Sequence, residues 1–466
     1  MKLSNIILLN LFSSTSLSYL IKTENLNNIE LSNLDVTGQE RFNNNPHYIH
    51  NNKRTGNDTK DDKESQQENT VQNDEILCPM ESLIVERQSD LSILDHCNTI
   101  FNDLIITSEY KENVLDLKKL TTIQGHLIVD NCDTLIKFVA PNLQKINGDF
   151  VLNSLTSIVI LEVPNLIDVN SIQWKILPIL NQVEINPNIM VRETIIISDT
   201  SISNLEGFYP IKELDTFNIN NNRFLETIKA SLVNVRTQFT IHANSKDLQI
   251  ELPFLQDVEN MTIRDAHSIW LPNLKTVRTN LEFIENGCVD LDLGTLETVG
   301  GTVGIIDNNY LSKMYFNNVT DIQGGLVIDN NPRLESIDTF QKLKTIGGAI
   351  QFKGSFKDTS FPNLKLVKGS AFIKSSSAEM DCNKWIRPLN GRSIIRGGKI
   401  KCTSHKKQNS ISLDEDGKII DMQQNEVSDE KANVTVIPNT ATTSPHLKWG
   451  QLIFLVTYNY ILAINA

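Results

Sequence analysis

The sequence has little of what marks a nucleic-acid-binding protein or a common enzyme class. Basic residues number 43 against 56 acidic ones, which gives a formal net charge of −13. They are scattered, apart from short pairs such as Lys118-Lys119 and Lys406-Lys407, so the clustered basic face that a nucleic acid requires is missing. The eight histidines are dispersed, and neither a nucleophile elbow nor a phosphate-binding loop is found. We therefore predict no nucleic-acid partner, catalytic residue, metal or cofactor.

The amino-terminal apolar run is too short to cross a membrane. Lys2 precedes a run from Ile6 to Leu17, whereas a helix that spans a bilayer needs about 20 apolar residues. Ser16 and Ser18 supply the small residues of a signal-peptidase site. Residues 1–18 are thus predicted to be a cleaved signal peptide.

The carboxyl-terminal apolar tail lacks the basic residues that would anchor a transmembrane helix. The tail, residues 449–466, follows a polar spacer, residues 442–448, and a group of small residues at 439–441. A small attachment site, a spacer and an apolar tail form the signal for a glycosylphosphatidylinositol (GPI) anchor. We expect attachment at Asn439, with Ser444 and Asn433 as alternatives. The segment 440–466 would be removed, so that lipid alone contacts the membrane.

A secreted chain is expected to carry glycans and oxidised cysteines. N-glycosylation sequons begin at Asn57, Asn260, Asn318 and Asn433. The six cysteines fit an oxidising compartment. Residues 19–75 are polar and Asn-rich, and we expect them to be disordered because they can bury little apolar surface. Within them, Lys53-Arg54 is either a dibasic processing site or solvated charge.

Short apolar strands recur along most of the chain at a nearly constant spacing of 20 to 23 residues. Their predicted starts are Leu104, Leu127, Phe150, Ile172, Ile195, Phe217, Phe239, Met261, Leu281, Val303, Leu326, Ala349 and Ala371. Such a period indicates a solenoid, in which each coil buries its apolar side only against its neighbours. We therefore predict an all-β parallel β-helix with coils of about 22 residues over residues 76–403.

Each predicted coil has the same order of residue types. Glycines precede many strands, at corners where positive φ is expected: Gly125, Gly148, Gly301, Gly324, Gly325 and Gly348. Asparagine or aspartate follows the strands, at Asn131, Asn153, Asn220–Asn222, Asn244, Asp265, Asn286, Asn308-Asn309 and Asn330-Asn331. Because asparagine tolerates the left-handed region, we expect these residues to form a ladder of stacked turns.

Alternation within the strands separates an inner from an outer face. Phe217-Asn218-Ile219 is apolar inside and polar outside, whereas the middle residue becomes apolar nearer the ends of the repeat region. These outward apolar residues are Ile128, Val151, Val327 and Phe372. We therefore expect the outer face to be polar and accessible to water at the centre. Near the ends it is either covered by other parts of the protein or available to bind other molecules.

Cysteine spacing suggests that disulfides close both ends of the solenoid. Cys78 and Cys97 flank the first apolar turn, and Cys382 and Cys402 flank the last, where open strand edges would invite aggregation. Cys132 and Cys288 lie seven coils apart, or about 33 Å at 4.8 Å per coil. They cannot pair with each other, because a disulfide needs Cα atoms within about 7 Å. Cys132 could exchange into the first cap, and Cys288 could be a free thiol.

The segments of the repeat region resemble the yeast sporulation-specific, GPI-anchored cell-wall proteins, relatives of the wider fungal family with receptor L-domain-like repeats. The likeness covers roughly Cys78 to Cys402. It is carried by SIQWKILP at 171–178, ISDT at 197–200, FNINNNRF at 217–224, LKLVKGSAFIKSSS at 364–377, DCNKW at 381–385 and GRSIIRGG at 391–398. Cys132 and Cys288 depart from the wider family's pattern. The resemblance implies a right-handed β-helix of the receptor L-domain type and no catalytic residues.

The resemblance also implies a role in organising the fungal wall, most specifically the β-glucan layer of the spore wall during sporulation. The chain would lie on the outer leaflet of the plasma membrane and in the wall, with residues 404–439 as a polar stalk. Its partners would be β-glucan or other wall proteins. Exposed aromatic rings that stack on sugars would supply the contacts, and the candidates are Trp174, Trp270, Tyr209 and Tyr310.

Two other functions stay open at this point. A glucan-remodelling enzyme would need two carboxylates about 5 to 9.5 Å apart, and acids recur near the strand ends at Asp199, Asp265, Asp307 and Asp329. These acids occupy turn positions, which explains them without catalysis. A receptor-like sensor is the second alternative, and it would need another protein to carry its signal into the cell.

Overall fold

The computed structural model describes residue 78 and residues 80–386, 393–405 and 407–426. The predicted signal peptide, the Asn-rich segment 19–75 and the anchor signal lie outside these residues. The same is true of Lys53-Arg54, Asn57, Asn433, Asn439 and Ser444. Among the residues described, no helix is both long and apolar enough to cross a membrane.

The described chain winds into a β-solenoid of about 13 turns with coils of about 22 residues, which confirms the predicted all-β repeat fold. Each coil contributes up to three strands, which we call front, back and side strands in the order in which the chain passes through them. Neighbouring coils pair by backbone hydrogen bonds, and alternate side chains point into the coil. Each coil therefore buries its apolar side against the next.

The front and side strands together form one sheet, in which successive coils pair in parallel. The front strands are Leu83–Val85, Leu104–Ile106, Leu127–Asp130, Lys145–Asn153, Asp168–Leu177, Met190–Thr200, Glu213–Asn220, Asn234–His242, Met261–Arg264, Leu281–Ile284, Val303–Ile306, Leu326–Asp329, Ile350–Gly354, Ala371–Ser375 and Lys399–Ser404. The five long members between residues 145 and 242 include their side strand. The separate side strands are Thr99–Ile100, Thr122–Ile123, Asp257–Val258, Thr276–Val277, Thr298–Val299, Asp321–Ile322, Thr345–Ile346 and Leu366–Val367.

The back strands form separate parallel sheets of four, three, two and two strands. They are Val114–Asp116, Lys137–Val139, Ile160–Val163 and Gln182–Ile185; Thr227–Lys229, Gln249–Glu251 and Ser268–Trp270; Asp290–Asp292 and Lys313–Tyr315; and Ser336–Ile337 and Asp358–Thr359. Two 3-10 turns, Gln88–Asp95 and Glu206–Phe208, and a short α-helix, Asn383–Ile386, are the helical elements of the described residues. The turn at Glu206–Phe208 lies where the first back sheet ends.

Two columns of inward side chains run through the stacked front strands and form the core. The first passes through Leu104, Leu127 and Phe150, which pair in register. The second passes through Ile106 and Val129, two residues later in the same strands. All five side chains are fully buried, and each buried aliphatic side chain stabilises the fold by about 1.5–3 kcal/mol.

The predicted strand starts agree with the first column in all but one coil. Twelve of the thirteen residues lie in it, pairing with one another from coil to coil. The prediction of Ala349 is wrong by one residue, because Ile350 pairs with both Leu326 and Ala371. Ile350 is the larger apolar side chain, and it is buried.

The glycines before the front strands are required by close stacking, and the prediction that they have positive φ is wrong. A Cβ on Gly148 would lie 2.7 Å from the carbonyl oxygen of Gly125. A Cβ on Gly324 would lie 2.5 Å from the carbonyl carbon of Gly301. Neither Gly148 nor Gly324 is in the left-handed region. A larger residue at this corner would therefore force neighbouring coils apart.

Positive φ occurs instead at the carboxyl end of ten of the fifteen front strands, at the last residues of the strand or just after them. The residues are Asn131, Ser154, Ile176, Asp199, Asn221, Ala243, Asp265, Glu285, Asp307 and Asn330. The next residue points inward, and in five coils it is an asparagine with 8% or less of its surface exposed. We call Asn222, Asn244, Asn286, Asn308 and Asn331 the asparagine ladder.

Members of the asparagine ladder hydrogen-bond from coil to coil, which confirms the predicted turn ladder. The backbone N–H of Asn222 donates to Oδ1 of Asn244 at 3.1 Å, and that of Asn286 donates to Oδ1 of Asn308 at 2.9 Å. Each side-chain amide also donates to a backbone carbonyl, as Asn244 does to Ile219 at 2.9 Å. Ala266 interrupts the ladder, although its N–H still donates to Asn286.

Disulfides close both ends of the solenoid, in the two pairings suggested by the sequence. Cys78 bonds to Cys97 with their Cα atoms 5.6 Å apart, and Cys382 bonds to Cys402 with theirs 5.7 Å apart. Cys132 and Cys288 are free and buried, so Cys132 does not exchange into the first cap. The Cys132 thiol occupies the ladder position of its coil and donates to the Thr107 carbonyl at 3.1 Å.

The sheet continues beyond the predicted end of the solenoid. Lys407–Leu413 pairs antiparallel with Lys399–Ser404, and Ile419–Glu426 pairs antiparallel with Lys407–Leu413. Ile411 is fully buried and Leu413 nearly so. The predicted start of a stalk at residue 404 is therefore too early, because residues 407–426 form two strands of the sheet.

The outer face of the front strands is partly exposed near both ends. Ile84 is 57% exposed, and Ile128, Val151 and Val327 are half-buried. Near the carboxyl end, the Lys401 ammonium lies 5.8 Å from the centre of the half-buried Phe372 ring. At the centre, Thr240 and Thr262 occupy the outward positions of adjacent strands, as the alternation predicted, but only 7% and 5% of their surface is exposed. The prediction that this part of the outer face is accessible to water is therefore wrong at these two positions.

Candidate functional site

The four aromatic side chains predicted to stack on sugars occupy different environments. Trp174 is only 1% exposed and continues the second core column between Leu152 and Ile197. The prediction that Trp174 is a sugar platform is therefore wrong, because no polysaccharide can reach its ring face. Trp270, Tyr209 and Tyr310 are 53%, 45% and 51% exposed.

Trp270 ends a back strand and belongs to an outward row of side chains. It pairs with Glu251 of the preceding coil. In the coil after Trp270, Asp292 pairs with Tyr315 of the following coil. Trp270 and Asp292 each precede a buried leucine at the next corner, so they hold the same position in adjacent coils. We call Glu251, Trp270, Asp292 and Tyr315 the back-face row.

The back-face row alternates carboxylates with aromatic rings. With strands about 4.8 Å apart, Trp270 and Tyr315 are separated by roughly 10 Å along the stack, and Asp292 lies between them. Tyr315 is 38% exposed. An aromatic ring offers an apolar surface to the C–H face of a sugar, and a carboxylate accepts hydrogen bonds from its hydroxyl groups. The row therefore has the chemistry of a surface that binds a polysaccharide lying across the coils.

Lys229 extends the back-face row by one coil and is paired. Its Nζ lies 3.0 Å from Oε2 of Glu251, with which it is aligned in the sheet. Both side chains are at least one-third exposed, so this ion pair contributes little to stability. It leaves Asp292 as the row's carboxylate between two aromatic rings.

Tyr310 lies at the turn corner, away from the back-face row. The guanidinium of Arg333, from the next coil, lies 4.9 Å from the centre of its ring. Arg223 and Phe224 form a similar pair at 5.1 Å, four coils away along the stack. One face of the Tyr310 ring is therefore already covered by a cation, a favourable contact in its own right.

Tyr209 follows the 3-10 turn Glu206–Phe208, where the back sheets are interrupted. Its position at the end of this turn places it outside the back-face row. Of the four predicted aromatic residues, Trp270 alone lies in the back-face row, which extends over two separate back sheets. Tyr315 and Asp292 were missed. Both residues immediately precede a buried apolar residue at the corner after a back strand, and this position in the sequence could have identified them.

The acids proposed for a glucan-remodelling enzyme have structural partners. Asp199, Asp265 and Asp307 have positive φ. Asp307 accepts a hydrogen bond from the side chain of Asn330 at 2.6 Å, and Asp265 accepts one from the backbone of Ala243 at 3.1 Å. Asp329 lies 3.3 Å from the Lys353 ammonium. These contacts account for the acids as parts of the turns between coils.

Glu282 is the described carboxyl group whose pKa is raised, as a general acid would require. Burial raises the pKa, and a hydrogen bond from the Thr262 hydroxyl at 3.3 Å opposes this rise. Its aligned neighbours in the sheet are Thr262 and Gly304. Glu282 therefore has no second carboxylate among its aligned neighbours in the sheet. Across the described ranges, no group of three His, Cys, Asp or Glu residues is arranged to hold a metal ion.

The two sequon asparagines in the described region lie at different corners and are half-buried. Asn260 precedes a front strand, and its Oδ1 accepts a hydrogen bond from the Thr279 hydroxyl at 3.4 Å. Asn318 lies at the corner after a back strand, where its Nδ2 donates to the Gly294 carbonyl at 2.6 Å. Modification of Asn260 and Asn318 stays a prediction, and neither residue lies in the back-face row.

Comparisons with known proteins identify relatives over most of the chain. The model of the receptor L domain family matches residues 96–200. Sporulation-specific protein 22 of Saccharomyces cerevisiae is 48% identical over 385 residues, which is 81% of this chain and 82% of that protein. Cell wall mannoprotein PST1 of the same yeast is 32% identical over 326 residues, 70% of this chain and 72% of that protein.

A third relative comes from another fungus. A cell surface GPI-anchored protein of Arthroderma benhamiae is 28% identical over 336 residues, which is 72% of this chain and 85% of that protein. No solved structure matches the chain.

Proposed function

The chain belongs to the family of fungal cell-wall proteins represented by these relatives, and from this premise we propose that it organises the wall without catalysing a reaction. Its specific role is the assembly of the β-glucan layer of the spore wall during sporulation. The names of the two yeast relatives, one a sporulation-specific protein and one a cell wall mannoprotein, support this assignment.

The back-face row is the observation that carries the proposed β-glucan contact. Trp270 and Tyr315 present exposed rings at equivalent positions of two neighbouring back sheets, and Asp292 adds a hydrogen-bond acceptor in the coil between them. Each contact with a sugar is weak. Several contacts along one polymer add up, because binding at one position raises the effective concentration of sugar at the next.

A GPI anchor at Asn439 is the proposed attachment to the membrane. It is supported by the small residues at 439–441, the spacer and the apolar tail, and by the name of the Arthroderma relative. Deletion of residues 439–466 is expected to release the protein into the medium. Retention of the deleted form on the cell surface would count against the anchor.

Co-sedimentation with insoluble β-1,3-glucan tests the proposed contact. The double variant Trp270→Ala/Tyr315→Ala should bind at least tenfold more weakly than the unchanged protein, which corresponds to about 1.4 kcal/mol. Phe224→Ala is the matched control, because Phe224 is 51% exposed but lies at the turn corner. Equal binding by the double variant and the control would refute the assignment of the site.

The same incubation distinguishes a binder from an enzyme. A protein that only organises the wall should sediment with the glucan and release no soluble oligosaccharide. Release of oligosaccharide by the unchanged protein, and its loss in Glu282→Gln, would replace the proposal with a glucan-remodelling activity. Glu282→Gln keeps the size of the side chain and removes the ionisable group.

A further inference from the structure

Charged residues beside the side strands alternate in sign through the central coils. At the position that follows the buried valine of each side strand, three successive coils have Arg236, Glu259 and Arg278. Nη2 of Arg278 lies 2.7 Å from Oδ2 of Asp257 in the neighbouring coil, and Nε of Arg236 lies 2.6 Å from Oδ1 of Asp215. Opposite charges on neighbouring strands stabilise their pairing, whereas like charges directly opposite each other destabilise it.

The last coils depart from this alternation. At the same position Lys368 is adjacent to Arg396, since the residues before them form a parallel bridge. A second column of residues lies just before the side strands, and there Lys344 is stacked directly on Lys365, whose backbone N–H donates to the Lys344 carbonyl at 2.9 Å. We call Lys344, Lys365, Lys368 and Arg396 the basic side patch.

The excess of positive charge extends over the carboxyl-terminal coils. Between residues 340 and 413, the described residues include twelve Lys or Arg and three Asp or Glu, although the whole chain has a net charge of −13. Lys353, Lys357 and Lys384 form ion pairs, but no member of the basic side patch pairs with a described carboxylate. Its lysines are exposed and its arginine is half-buried. The members are up to 52 positions apart in the sequence, so only the stacking of coils brings them together.

The basic side patch suits a broad anionic surface better than a single small anion. Three of its four members are lysines, which carry point charges on flexible stems, whereas a fixed phosphate site is better served by the planar guanidinium of arginine. Lys344 and Lys365 lie on strands about 4.8 Å apart, and Lys365 and Lys368 are about 10 Å apart along one strand. Holding like charges together costs stability, and a layer of anionic groups would remove this cost.

The basic side patch lies in the coils closest to the proposed membrane anchor. The last described strand, Ile419–Glu426, ends 13 residues before Asn439, and 13 fully extended residues span at most about 45 Å. The coil that contains Lys365 and Lys368 is four strand spacings from this last strand, or about 19 Å. An anchor at Asn439 would therefore keep the patch near the surface of the bilayer.

We propose that the basic side patch binds the anionic phospholipid headgroups of the membrane to which the chain is anchored. This inference rests on the GPI anchor of the proposed function, which raises the effective concentration of headgroups around the patch. Each Lys or Arg close to an anionic bilayer strengthens binding about fivefold. The back strands belong to other sheets, so the back-face row stays available for glucan while the side strands contact the membrane.

Vesicle sedimentation tests the basic side patch without the anchor. The form that lacks residues 439–466 keeps every described residue. It is mixed with sucrose-loaded vesicles of phosphatidylcholine alone, or of three parts phosphatidylcholine and one part phosphatidylserine. The protein should sediment with the anionic vesicles and not with the neutral ones. At about 1 M salt, where the Debye length is about 3 Å, this binding should be lost.

Two double variants make the same charge change in the same column of residues. Lys344→Glu/Lys365→Glu should bind anionic vesicles at least tenfold more weakly, because two cations of the patch are replaced. Lys212→Glu/Lys275→Glu is the control, since Lys212 and Lys275 are exposed members of this column in the central coils, and it should bind within threefold of the unchanged protein. Unfolding midpoints show whether the variants fold, and Lys344→Gln/Lys365→Gln replaces the first variant if it does not.

Three results would overturn the membrane contact. They are no sedimentation of the unchanged protein with anionic vesicles, equal sedimentation with neutral vesicles, and equal weakening in the two double variants. Binding to phosphorylated mannan without binding to vesicles would also reject it and assign the patch to a wall polysaccharide. Retention of the deleted form on cells after a wash in about 1 M salt would instead reject the anchor and leave the vesicle result standing.

Discussion

Asn308 lies inside the asparagine ladder, and its replacement tests whether the ladder holds neighbouring coils together. The side chain is 1% exposed. Its Oδ1 accepts hydrogen bonds from the backbone N–H and side-chain amide of Asn286, at 2.9 and 3.1 Å. Its Nδ2 donates to Oδ1 of Asn331 at 3.1 Å and to the Phe283 carbonyl at 3.0 Å. One side chain therefore connects three coils.

The expected cost of Asn308→Ala follows from the groups that lose partners. The buried N–H of Asn286 loses its acceptor, and the Asn331 side chain loses a donor. Each buried group left unsatisfied costs about 1–3 kcal/mol. We expect a total loss of about 2–4 kcal/mol of stability for the affected coils.

Asn308→Asp separates hydrogen bonding from packing, because it keeps the size of the side chain. The carboxylate would face the Phe283 and Ile306 carbonyls and Oδ1 of Asn331, which are all acceptors. Burial beside acceptors raises a carboxyl pKa above its unfolded value of about 3.9. The variant should therefore be most stable below the unfolded pKa and lose stability as pH rises through the folded pKa.

Native-state hydrogen exchange is the suitable assay, because coils of a solenoid can unfold separately. At the amides of Val303–Ile306, a loss of 2–4 kcal/mol corresponds to roughly 30- to 700-fold faster exchange. Asn309→Ala is the control, since Asn309 is exposed and adjacent. Exchange in Asn308→Ala within threefold of that control would refute the role of the ladder.

Three other predictions test separate parts of the coil. Burial raises the pKa of both the Cys132 and Cys288 thiols to about 11, so the folded protein should not react with iodoacetamide at pH 8 and the unfolded protein should react at two thiols. Gly324→Ala should destabilise the protein by about 1–3 kcal/mol through backbone overlap, whereas Gly304→Ala, with its nearest contact at 3.5 Å, should cost less in the same denaturation experiment. Ile411→Asp should unfold the two added strands, as judged by proteolysis, while Ile420→Asp, at a 69% exposed position, should not; equal cleavage of both would support the stalk.

Strand positions could be predicted from the sequence because every coil repeats one packing requirement. Leu326 and Phe352 must each cover the apolar side of a neighbouring coil, which limits their positions to large apolar residues. The one error, at Ala349, arose where small residues precede Ile350 and the apolar run has no sharp start. A slip of one residue exchanges the inner and outer faces of a strand.

The reason for the corner glycines could not be read from residue types alone. Glycine is compatible both with positive φ and with close approach of two backbones. Only the stacking of Gly324 on Gly301 distinguishes the two, and this contact lies between residues one coil apart. Positive φ falls on residues as different as Asn221 and Ile176, because the shape of the turn is imposed by the stack.

The added strands at the carboxyl end show a second limit of sequence patterns. Residues 407–426 are mostly polar, and Ile411 and Leu413 are among the few with buried side chains. Pairing with Lys399–Ser404 satisfies the backbone groups of a strand that would otherwise be an open edge. Backbone pairing makes few demands on side chains, so a polar segment can extend a sheet and still resemble a stalk in composition.

Whether an aromatic residue can belong to the candidate site depends on whether its side chain points into the coil or outward. Composition does not reveal this direction. Trp174 and Trp270 are the same residue type, yet Trp174 points into the core column and Trp270 points outward at the end of a back strand. For Trp174 the inward position has a chemical consequence, since it buries an N–H group that the strand pairing cannot satisfy. A leucine or isoleucine there, as in the neighbouring coils at Leu152 and Ile197, would fill the column without a polar atom. The coil that contains a tryptophan in the column thus adjoins the interrupted back sheet, and its indole N–H is buried with no hydrogen-bond partner among the described residues.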